Sequence, residues 1–483
     1  MERYAEKIRQ ALPQAVLDIK KDTYAAVEGL RAVYATVDTE ECLIVDGCKA
    51  FQFDGVMYGG RSGVKVCCMN HDNRMIMNKE FAYTAPQAVG RGTASFGCGD
   101  RLGIAGEGQL AAVSKAKVMP VLAQQSLREL SLTGRSYDDV MDAAAWAVFK
   151  SGYKKGYAAD GDHLKNLKEI EAAVNHGVSM ITLDCSLVLG SYPDSEAQCQ
   201  ELYEQLPESY KRELEREYLH NEKLRDLGVE FHRQSLERTV LVYKDAVELA
   251  EQAYKMLKKS GRRIDLELSL DETSCTTDVH AHYFAANELH KKNVVINSIA
   301  PRFVGEFQKA VDYIGDAETF RMDLRAHCKI ADYFGHKISV HSGSDKFRVF
   351  PAVAQETGGR FHLKTSGTSW LEAVRVIAGT EPELYRDMHK TALANYEKAK
   401  AYYGVHGDPE RVKPLEQVPD EKLPDYMNQD DARQLLHITY GFMLREDTQL
   451  RRRIKEALDR QKDQYMDALE RHFTRHLSLL ECM

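Results

Sequence analysis

The sequence predicts an α/β protein whose main part is a (β/α)8 TIM-type barrel. Eight short apolar runs between about residues 94 and 367 each end in polar residues that can take part in catalysis. Most of these runs are separated by stretches in which apolar residues recur at helical spacing. Because the reacting groups of such a barrel lie at the C-terminal ends of its strands, the pattern also predicts where the active site lies. In order, the runs are ASFGCGDR (94–101), VMPVLAQQS (118–126), KGYAADGDHLK (155–165), SMITLDCS (179–186), DLELSLDET (265–273), NVVINSIAPR (293–302), KISVHSGSDK (337–346) and RFHLKTSGTS (360–369).

Length and charge narrow the class of protein. The 483 residues carry a net charge of −8, which suits one large domain with additions, or two to three domains. The chain has no basic run, which argues against nucleic-acid binding, and no apolar stretch of about 18 residues that would span a membrane. The N-terminus lacks the apolar segment of a signal peptide, and the ten cysteines include no CxxC pair. We therefore expect a cytoplasmic protein with reduced, mostly buried thiols.

Three parts follow one another along the chain. Residues 1–92 predict a small α+β accessory domain, in which two helical segments (1–35) precede the β-like runs ECLIVDG, KAFQFDGVMYGG and GVKVCCMN. Residues 93–378 hold the barrel, which a charged helical insertion interrupts at about 187–240. Residues 379–483 predict a C-terminal helical extension packed on the barrel. These additional parts leave room for a homo-oligomer.

The third run places a carboxylate beside an imidazole. Asp160 and Asp162 share one face of the predicted strand, since side chains alternate, and His163 starts the following loop. This pair offers a base and a metal-ligating nitrogen in one place. The alternative is an aspartate that caps the next helix and a histidine at the surface.

The seventh run adds a second histidine. Ser339 and His341 are expected to point into the barrel, and His341 lies at the end of the strand. The Ser342–Ser344 loop offers backbone N–H groups and hydroxyls that bind anions or sugar hydroxyls, and Lys346 adds positive charge. The alternative is that His341 is a core histidine with satisfied hydrogen bonds.

The fifth run alternates polar residues with leucine. If the leucines pack on the helices, Glu267, Ser269 and Asp271 face the lumen. A carboxylate there is costly unless it is paired, bound to a metal or protonated, and a protonated Glu267 is a candidate general acid.

The remaining runs place further polar side chains at the same rim. Arg302 can grip a carboxylate through two hydrogen bonds, and Lys364 precedes a Ser/Thr/Gly loop at a helix start, an arrangement that binds anions. Each signal is weak alone, and their convergence on one rim carries the prediction. The candidates for substrate binding are Arg101, Gln125, Asn297, Arg302, Ser342, Lys346 and Lys364.

Two other motifs are discounted. The glycines of Gly97–Gly103 resemble a dinucleotide-binding loop, but the third glycine comes one position late, so no nucleotide cofactor is expected. His280 and His282 lie in a predicted helix, where residues two apart do not face each other.

Several longer segments together resemble the tagaturonate/fructuronate epimerases, which are metal-dependent isomerases of sugar acids. They are FGCGDRLGI, LAQQSLRE, DGDHLK, PRFVGEFQKAVDYIGD, KISVHSGSDKF and HLKTSGTSWLEAV, and the resemblance runs from about residue 93 to the C-terminus. It implies a divalent cation (Zn, Mn, Ni or Fe) with His163 and His341 as ligands. It also implies Asp162 as proton acceptor and Glu267 as proton donor. Glu306 is the suggested third ligand, with Gln308 and Asp271 as rivals.

The implied substrates suggest the mechanism. Tagaturonate and fructuronate differ at a hydroxyl-bearing carbon β to the ketone, whose C–H is not acidic. Retro-aldol cleavage and re-formation of the C–C bond therefore fit better than deprotonation. The alternatives are a metal-dependent aldolase or ketose 4-epimerase acting on an uncharged sugar, and, in a different class, a non-catalytic sugar-acid sensor.

Overall fold

The N-terminal part of the protein is an antiparallel sheet flanked by helices. The computed structural model describes residues 1–60, 63–191, 193, 195–219, 221–271 and 275–483, without the side chains of residues 222 and 223. The sheet has the strand order β1-β2-β3-β5-β4. Its elements are α1 (Glu2–Ala11), β1 (Leu17–Val27), β2 (Leu30–Val37), β3 (Glu40–Asp46), β4 (Val56–Tyr58), β5 (Val64–Cys67) and α2 (His71–Glu80).

The prediction of two helices within residues 1–35 is wrong for the second of them. The alanine-rich stretch after α1 forms the β1–β2 hairpin, in which Val27 pairs with Leu30 across a two-residue turn. Gly29 adopts a positive φ of 77°, which glycine accepts without steric cost. Pairing with β3 on the other side of β2 overrides the helical preference of the alanines, because strand formation depends on neighbours more than on local propensity.

The predicted (β/α)8 barrel is confirmed. Eight parallel strands close into a barrel, and each of the eight apolar runs contains one of them. The strands are β6 (Ser95–Cys98), β7 (Met119–Ser126), β8 (Ala158–Leu164), β9 (Met180–Asp184), β10 (Asp265–Leu270), β11 (Ser298–Pro301), β12 (Lys337–Val340) and β13 (Phe361–Thr365).

Helices surround the barrel and extend beyond it. The charged segment after β9 holds three short helices and the start of a long one, α10, which begins at Arg233. The helices from the barrel onward are α3 (Gly106–Val113), α4 (Leu127–Thr133), α5 (Tyr137–Lys150), α6 (Leu167–Asn175), α7 (Glu196–Glu204), α8 (Glu208–Tyr218), α9 (Glu222–Asp226), α10 (Arg233–Lys259), α11 (Val279–Lys291), α12 (Ala317–Phe334), α13 (Phe350–Thr357), α14 (Thr368–Thr380), α15 (Pro382–Lys400), α16 (Asp430–Ile438), α17 (Thr448–Arg460) and α18 (Lys462–Leu479). None of the helices in the described part of the chain has the length and apolar character of a membrane span.

The C-terminal helices pack directly on the barrel. Phe473 of α18 meets Phe96 of β6 with their ring centroids 5.6 Å apart. The indole N–H of Trp370 donates to the carbonyl of Leu436 in α16. Glu41 of β3 forms ion pairs with Lys150 of α5 and Lys462 of α18, which joins the N-terminal sheet to both other parts.

Candidate active site

A cavity of about 480 Å³ opens at the C-terminal ends of the barrel strands, where the sequence predicts the site. Its lining residues come from seven of the eight barrel strands and the loops that follow them, and Tyr402, Tyr403, Gly404 and His406 of the C-terminal extension close one side. Of the predicted site residues, the cavity is lined by Asp162, His163, Glu306, Arg101, Arg302, His341, Ser342 and Lys364.

Lys364 lies at the centre of a buried cluster of carboxylates. Its Nζ is 2.5 Å from Asp162 Oδ1, 2.9 Å from Asp160 Oδ2 and 3.4 Å from Glu267 Oε1. Burial alone would lower the pKa of Lys364, but the three carboxylates raise it well above its ordinary value. Lys364 therefore holds the acidic floor of the site together instead of standing ready for a substrate carboxylate, which corrects the sequence-based prediction.

Asp162 stays ionised in this cluster. Burial favours the neutral acid, but the ammonium of Lys364 and the imidazole of His163 outweigh burial and lower the pKa of Asp162. The neighbouring Asp160 has a raised pKa, chiefly through burial, and its Oδ1 is buried without a hydrogen-bond partner. The two aspartates of β8 thus differ in the direction of their pKa shifts, and the ionised one, Asp162, faces the cavity.

His341 bridges two carboxylates. Its Nε2 lies 2.8 Å from Glu267 Oε1 and its Nδ1 lies 3.1 Å from Asp271 Oδ2. Burial would lower the pKa of His341, but these carboxylates raise it to about 10. Glu267 also accepts hydrogen bonds from Ser298 Oγ at 2.6 Å and Thr182 Oγ1 at 3.1 Å.

The sequence suggested that Glu267 is protonated, but its surroundings in the structure favour the ionised carboxylate. Burial raises its pKa, yet Lys364 and His341 together hold the pKa well below the ordinary value. The proton of the pair therefore lies on the imidazole of His341. The direction of the shift follows from charge, because two cations contact a single carboxylate inside the barrel.

A bulge in β8 places Asp162 and His163 on the same cavity. The pairing of β8 with β9 shifts register between Gly161 and Leu164, and His163 has a positive φ of 52°. Regular alternation would send two consecutive side chains to opposite faces, whereas a bulge re-aims one of them. The ring of His163 thereby comes within 5.1 Å of the ring of His341, measured between centroids.

The donor set fits a divalent cation. His163 Nδ1 is buried without a hydrogen-bond partner, although Asp184 Oδ2 lies 3.8 Å away. The five carboxylates around the two imidazoles outnumber the two lysines that contact them, Lys364 and Lys165, and such an excess of negative charge favours a bound cation. The carboxylates are Asp160, Asp162, Asp184, Glu267 and Asp271.

The candidates for the third ligand lie in different surroundings. Asp271 contacts His341 directly, whereas the half-exposed side chain of Glu306 contacts the amide of Gln308. Gln308 Oε1 accepts from the backbone N–H of His406 and from Gln434 Nε2.

A second group of metal-ligand atoms lies outside the cavity. The ligand atoms of Asp345, His472 and His476 are all within 4.8 Å of one another. Both nitrogens of His476 already have partners, because Nε2 accepts from the backbone N–H of Asp345 and Nδ1 donates to the carbonyl of His472. The guanidinium of Arg433 also pairs with Asp345, so a positive charge already occupies this cluster.

Three of the predicted substrate-binding residues do not reach the cavity. Gln125 points away from the lumen, as strand alternation requires when Gln124 faces inward, and its Oε1 accepts from Arg135. Asn297 precedes β11 at the opposite end of the barrel and bonds Asp265 and the backbone of Leu266.

Lys346 is the third predicted substrate-binding residue that does not reach the cavity. It is fully buried, and its Nζ donates to the carbonyls of Gln308, Val311 and Ser344. Burial lowers its pKa to about 7. A buried ammonium that is shared among three carbonyls supports the loops around the site and does not reach the substrate.

Arg101 reaches the cavity wall but is already engaged. Its Nε lies 3.0 Å from Glu129 Oε1, its Nη1 donates to the carbonyl of His437, and its guanidinium stacks 3.7 Å from the ring centroid of Tyr440. We therefore assign Arg101 to the framework of the site.

Sequence reasoning missed Lys309 and the residues of the C-terminal extension. Lys309 lines the cavity, and its Nζ lies 2.9 Å from Ser342 Oγ. It stands within the quoted segment PRFVGEFQK, but a long loop separates it from the end of β11, so strand spacing does not place it. Tyr402, Tyr403 and His406 also line the cavity, and no pattern in the sequence indicates which part of the barrel the extension covers.

This fold and this site define a barrel enzyme with a polar cavity for a small molecule at the C-terminal ends of its strands. The chain belongs to the tagaturonate epimerase family, whose profile matches residues 21–480. The tagaturonate/fructuronate epimerase of Thermotoga maritima is 39% identical over 419 residues, which is 86% of each chain. The native crystal structure of the fructuronate-tagaturonate epimerase of Cohnella laeviribosi is 43% identical and covers both chains fully, with a TM-score of 0.93. A structure of that enzyme with two glycerol molecules gives the same values. The protein is accordingly an isomerase.

Proposed function

We propose that the protein interconverts D-tagaturonate and D-fructuronate in the cytoplasm, with the help of a divalent cation. The names of its relatives support the substrate, and the bulge that brings Asp162 and His163 beside His341 supports the chemistry. The proposal thus assigns an epimerase reaction to a site with one ionised base and two imidazoles.

The reaction must invert a carbon that simple deprotonation cannot reach. The two substrates differ at a hydroxyl-bearing carbon β to the ketone, so its C–H is not acidified by the carbonyl. We propose that Asp162 takes the proton of the β-hydroxyl while the bond between the α and β carbons breaks. The bonding electrons pass to the ketone fragment, which becomes an enediolate, and the β carbon becomes an aldehyde.

Inversion follows when the aldehyde rotates and the bond re-forms on its other face. The new alkoxide then takes a proton from Glu267. For this step Glu267 must carry a proton, and the imidazole of His341, with Nε2 2.8 Å from Glu267 Oε1, is the neighbouring group that can pass one to it.

His163 and His341 would hold the cation, with Glu306, Gln308 or Asp271 as third ligand. When bound, the cation acts as a Lewis acid that stabilises negative charge on the ketone oxygen and its neighbouring hydroxyl. Ser342, Arg302 and the hydroxyls around the cavity orient the remaining oxygens of the sugar acid.

Chelation tests the proposal directly. Purified protein is incubated with tagaturonate before and after treatment with a chelator, and again after addition of Zn²⁺, Mn²⁺, Ni²⁺ or Fe²⁺, with products followed by NMR. We expect fructuronate to form, conversion to stop on chelation, and one or more of the metals to restore it. Net accumulation of free three-carbon products would identify an aldolase instead. Conversion that persists after complete metal removal would contradict the role of the cation.

A further inference from the structure

The proposed reaction moves one proton across the active site in every turnover. Asp162 gains the proton of the β-hydroxyl, and the pair of Glu267 and His341 loses a proton to the new alkoxide. The enzyme that releases fructuronate therefore differs in the position of one proton from the enzyme that bound tagaturonate. Before a second molecule of tagaturonate can react, a proton has to return from Asp162 to Glu267.

Glu267 has no direct access to water in the cavity. Its side chain is 0% exposed, whereas that of Asp162 is 10% exposed. In the described part of the chain, the side chains that contact its carboxylate are those of Thr182, Ser298, His341 and Lys364. The returning proton therefore has to pass through a neighbouring side chain.

Lys364 connects the two carboxylates. Its Nζ lies 2.5 Å from Asp162 Oδ1 and 3.4 Å from Glu267 Oε1. Among the residues that the structure describes, Lys364 is the side chain that forms ion pairs with both carboxylates. Glu267 Oε1 is also the oxygen that His341 Nε2 contacts at 2.8 Å, so a proton delivered to this oxygen reaches the pair that lost one.

An ammonium group in this position can receive and release protons. It carries three N–H bonds and, unlike a guanidinium, it can lose one of its protons inside a protein. The carboxylates of Asp160, Asp162 and Glu267 hold Lys364 in its charged form. Once Asp162 has taken the hydroxyl proton it is neutral, so one of these three negative charges is gone and Lys364 releases a proton more readily.

We propose that Lys364 resets the enzyme after each turnover by relaying a proton from Asp162 to Glu267. An Nζ–H bond of Lys364 breaks as its proton moves to Glu267 Oε1, and a new Nζ–H bond forms with the proton that leaves Asp162 Oδ1. Lys364 ends as an ammonium again, so the step consumes no other reactant. The relay rests on the proposed function and extends it to the free enzyme. Asp160, 2.9 Å from Nζ, is a positioning residue for Lys364.

Lys364→Arg separates the relay from the structural role of the lysine. Arginine keeps a positive charge among the three carboxylates but does not give up a proton. With excess tagaturonate and metal-loaded protein, rapid-quench measurements should show a first turnover within about threefold of the wild-type rate, because the charge is kept. Later turnovers should be slower by roughly 10²–10⁴-fold, which is the contribution of a positioned proton-transfer group. The expected result is a burst of one product molecule per active site.

Lys337→Arg is the matched control for this variant. Lys337 is also a buried lysine of the barrel, but its Nζ contacts the carbonyl of Thr93 and Ser95 Oγ. Any distortion from an added guanidinium should slow the first and the later turnovers of Lys337→Arg alike, so we expect no burst. Thermal unfolding checks that both variants are folded.

Lys364→Ala gives a second test, which does not depend on how well an arginine fits the barrel. Added ethylammonium supplies a positive charge and an exchangeable proton, whereas guanidinium supplies the charge without releasing a proton. We therefore expect ethylammonium to restore repeated turnover of tagaturonate and guanidinium not to restore it.

The outcomes separate the relay from the proposed function. Equal slowing of the first and later turnovers in Lys364→Arg would overturn the relay, and so would undiminished repeated turnover. Restoration of Lys364→Ala by both cations, or by neither, also counts against it. In each of these cases the proposed function stands as long as the wild type converts tagaturonate. A wild type that converts none overturns the proposed function, and the relay falls with it.

Discussion

At the scale of single residues, Asp160 and Asp162 show how two like groups acquire different properties. Both contact the ammonium of Lys364, and both belong to β8. Asp162 lines the cavity with a lowered pKa, whereas Asp160 lies below it with a raised one. The surroundings therefore favour Asp162 over Asp160 as the proton acceptor of the proposed reaction, and the family resemblance implies the same role.

We expect Asp162→Asn to lose turnover by roughly 10²–10⁴-fold, because an amide of the same shape cannot accept the hydroxyl proton. Asp160→Asn is the matched comparison, since it removes the other aspartate that contacts Lys364. We expect it to lose less than about tenfold, as a group that only supports the site. Steady-state kinetics measures both, and thermal unfolding checks that each variant is folded. An equal loss in the two variants would contradict the assignment of the base.

At the scale of elements, a chain of three buried histidines joins α11, α12 and the start of β12. His327 Nε2 contacts the carbonyl of Thr277, which can only accept, and this contact fixes the tautomers of the whole chain. His327 Nδ1 then accepts from His282 Nδ1, and His282 Nε2 accepts from His336 Nε2. The remaining nitrogen, His336 Nδ1, is buried without a partner.

This histidine chain predicts loss of stability in mild acid. Burial lowers the pKa of His336 to about 3 and also lowers the pKa of His282 and of His327. Below the ordinary pKa of about 6.5 the unfolded chain binds protons that the folded protein does not. Stability is therefore fully present above pH 6.5 and falls as the pH decreases toward 3, by about 1.4 kcal/mol per pH unit for each such histidine.

Urea unfolding of His336→Gln at several pH values between 7 and 5 measures the effect. The variant should lose part of the pH dependence, about 1.4 kcal/mol per unit, even if its stability at neutral pH is lower. His290→Gln removes an exposed histidine of α11 and should keep the slope of the wild type. If both variants keep the full slope, His336 is not neutral in the folded protein.

At the scale of the whole molecule, the sequence predicts the barrel well because each strand carries its own local signal. Polar residues follow each apolar run. The alternation of side chains along a strand also predicts correctly that Asp160, Glu267 and Asp271 face the lumen of the barrel. Other features depend on tertiary contacts. The β1–β2 hairpin forms through its pairing with β3, and the bulge that turns His163 into the cavity has no local signature.

The C-terminal extension could not be placed from sequence for a related reason. A helical pattern indicates that a surface is buried but not which surface it meets. Arg433 of α16 donates to the carbonyl of Ala310 and pairs with Asp345, which also contacts His472 of α18. Long-range contacts of this kind connect the extension to two loops of the active site.

Because of these contacts, we predict that Arg433, which lies far from the site residues in sequence, affects how tightly the site binds its substrate. Arg433→Met removes the donor to residue 310 and leaves Asp345 with one positive partner fewer, so unfolding should become easier by about 3–5 kcal/mol. Because the backbone of Lys309 then loses one of its fixed points, KM for tagaturonate should rise more than kcat falls. Arg453→Met is the matched control, since it removes a partly exposed ion pair with Asp387 within the same extension, and it should change stability by less than about 1 kcal/mol. Urea unfolding and steady-state kinetics with tagaturonate measure both effects. If Arg433→Met alters only stability and leaves KM as it is in Arg453→Met, the extension supports the fold without positioning the loop that carries Lys309.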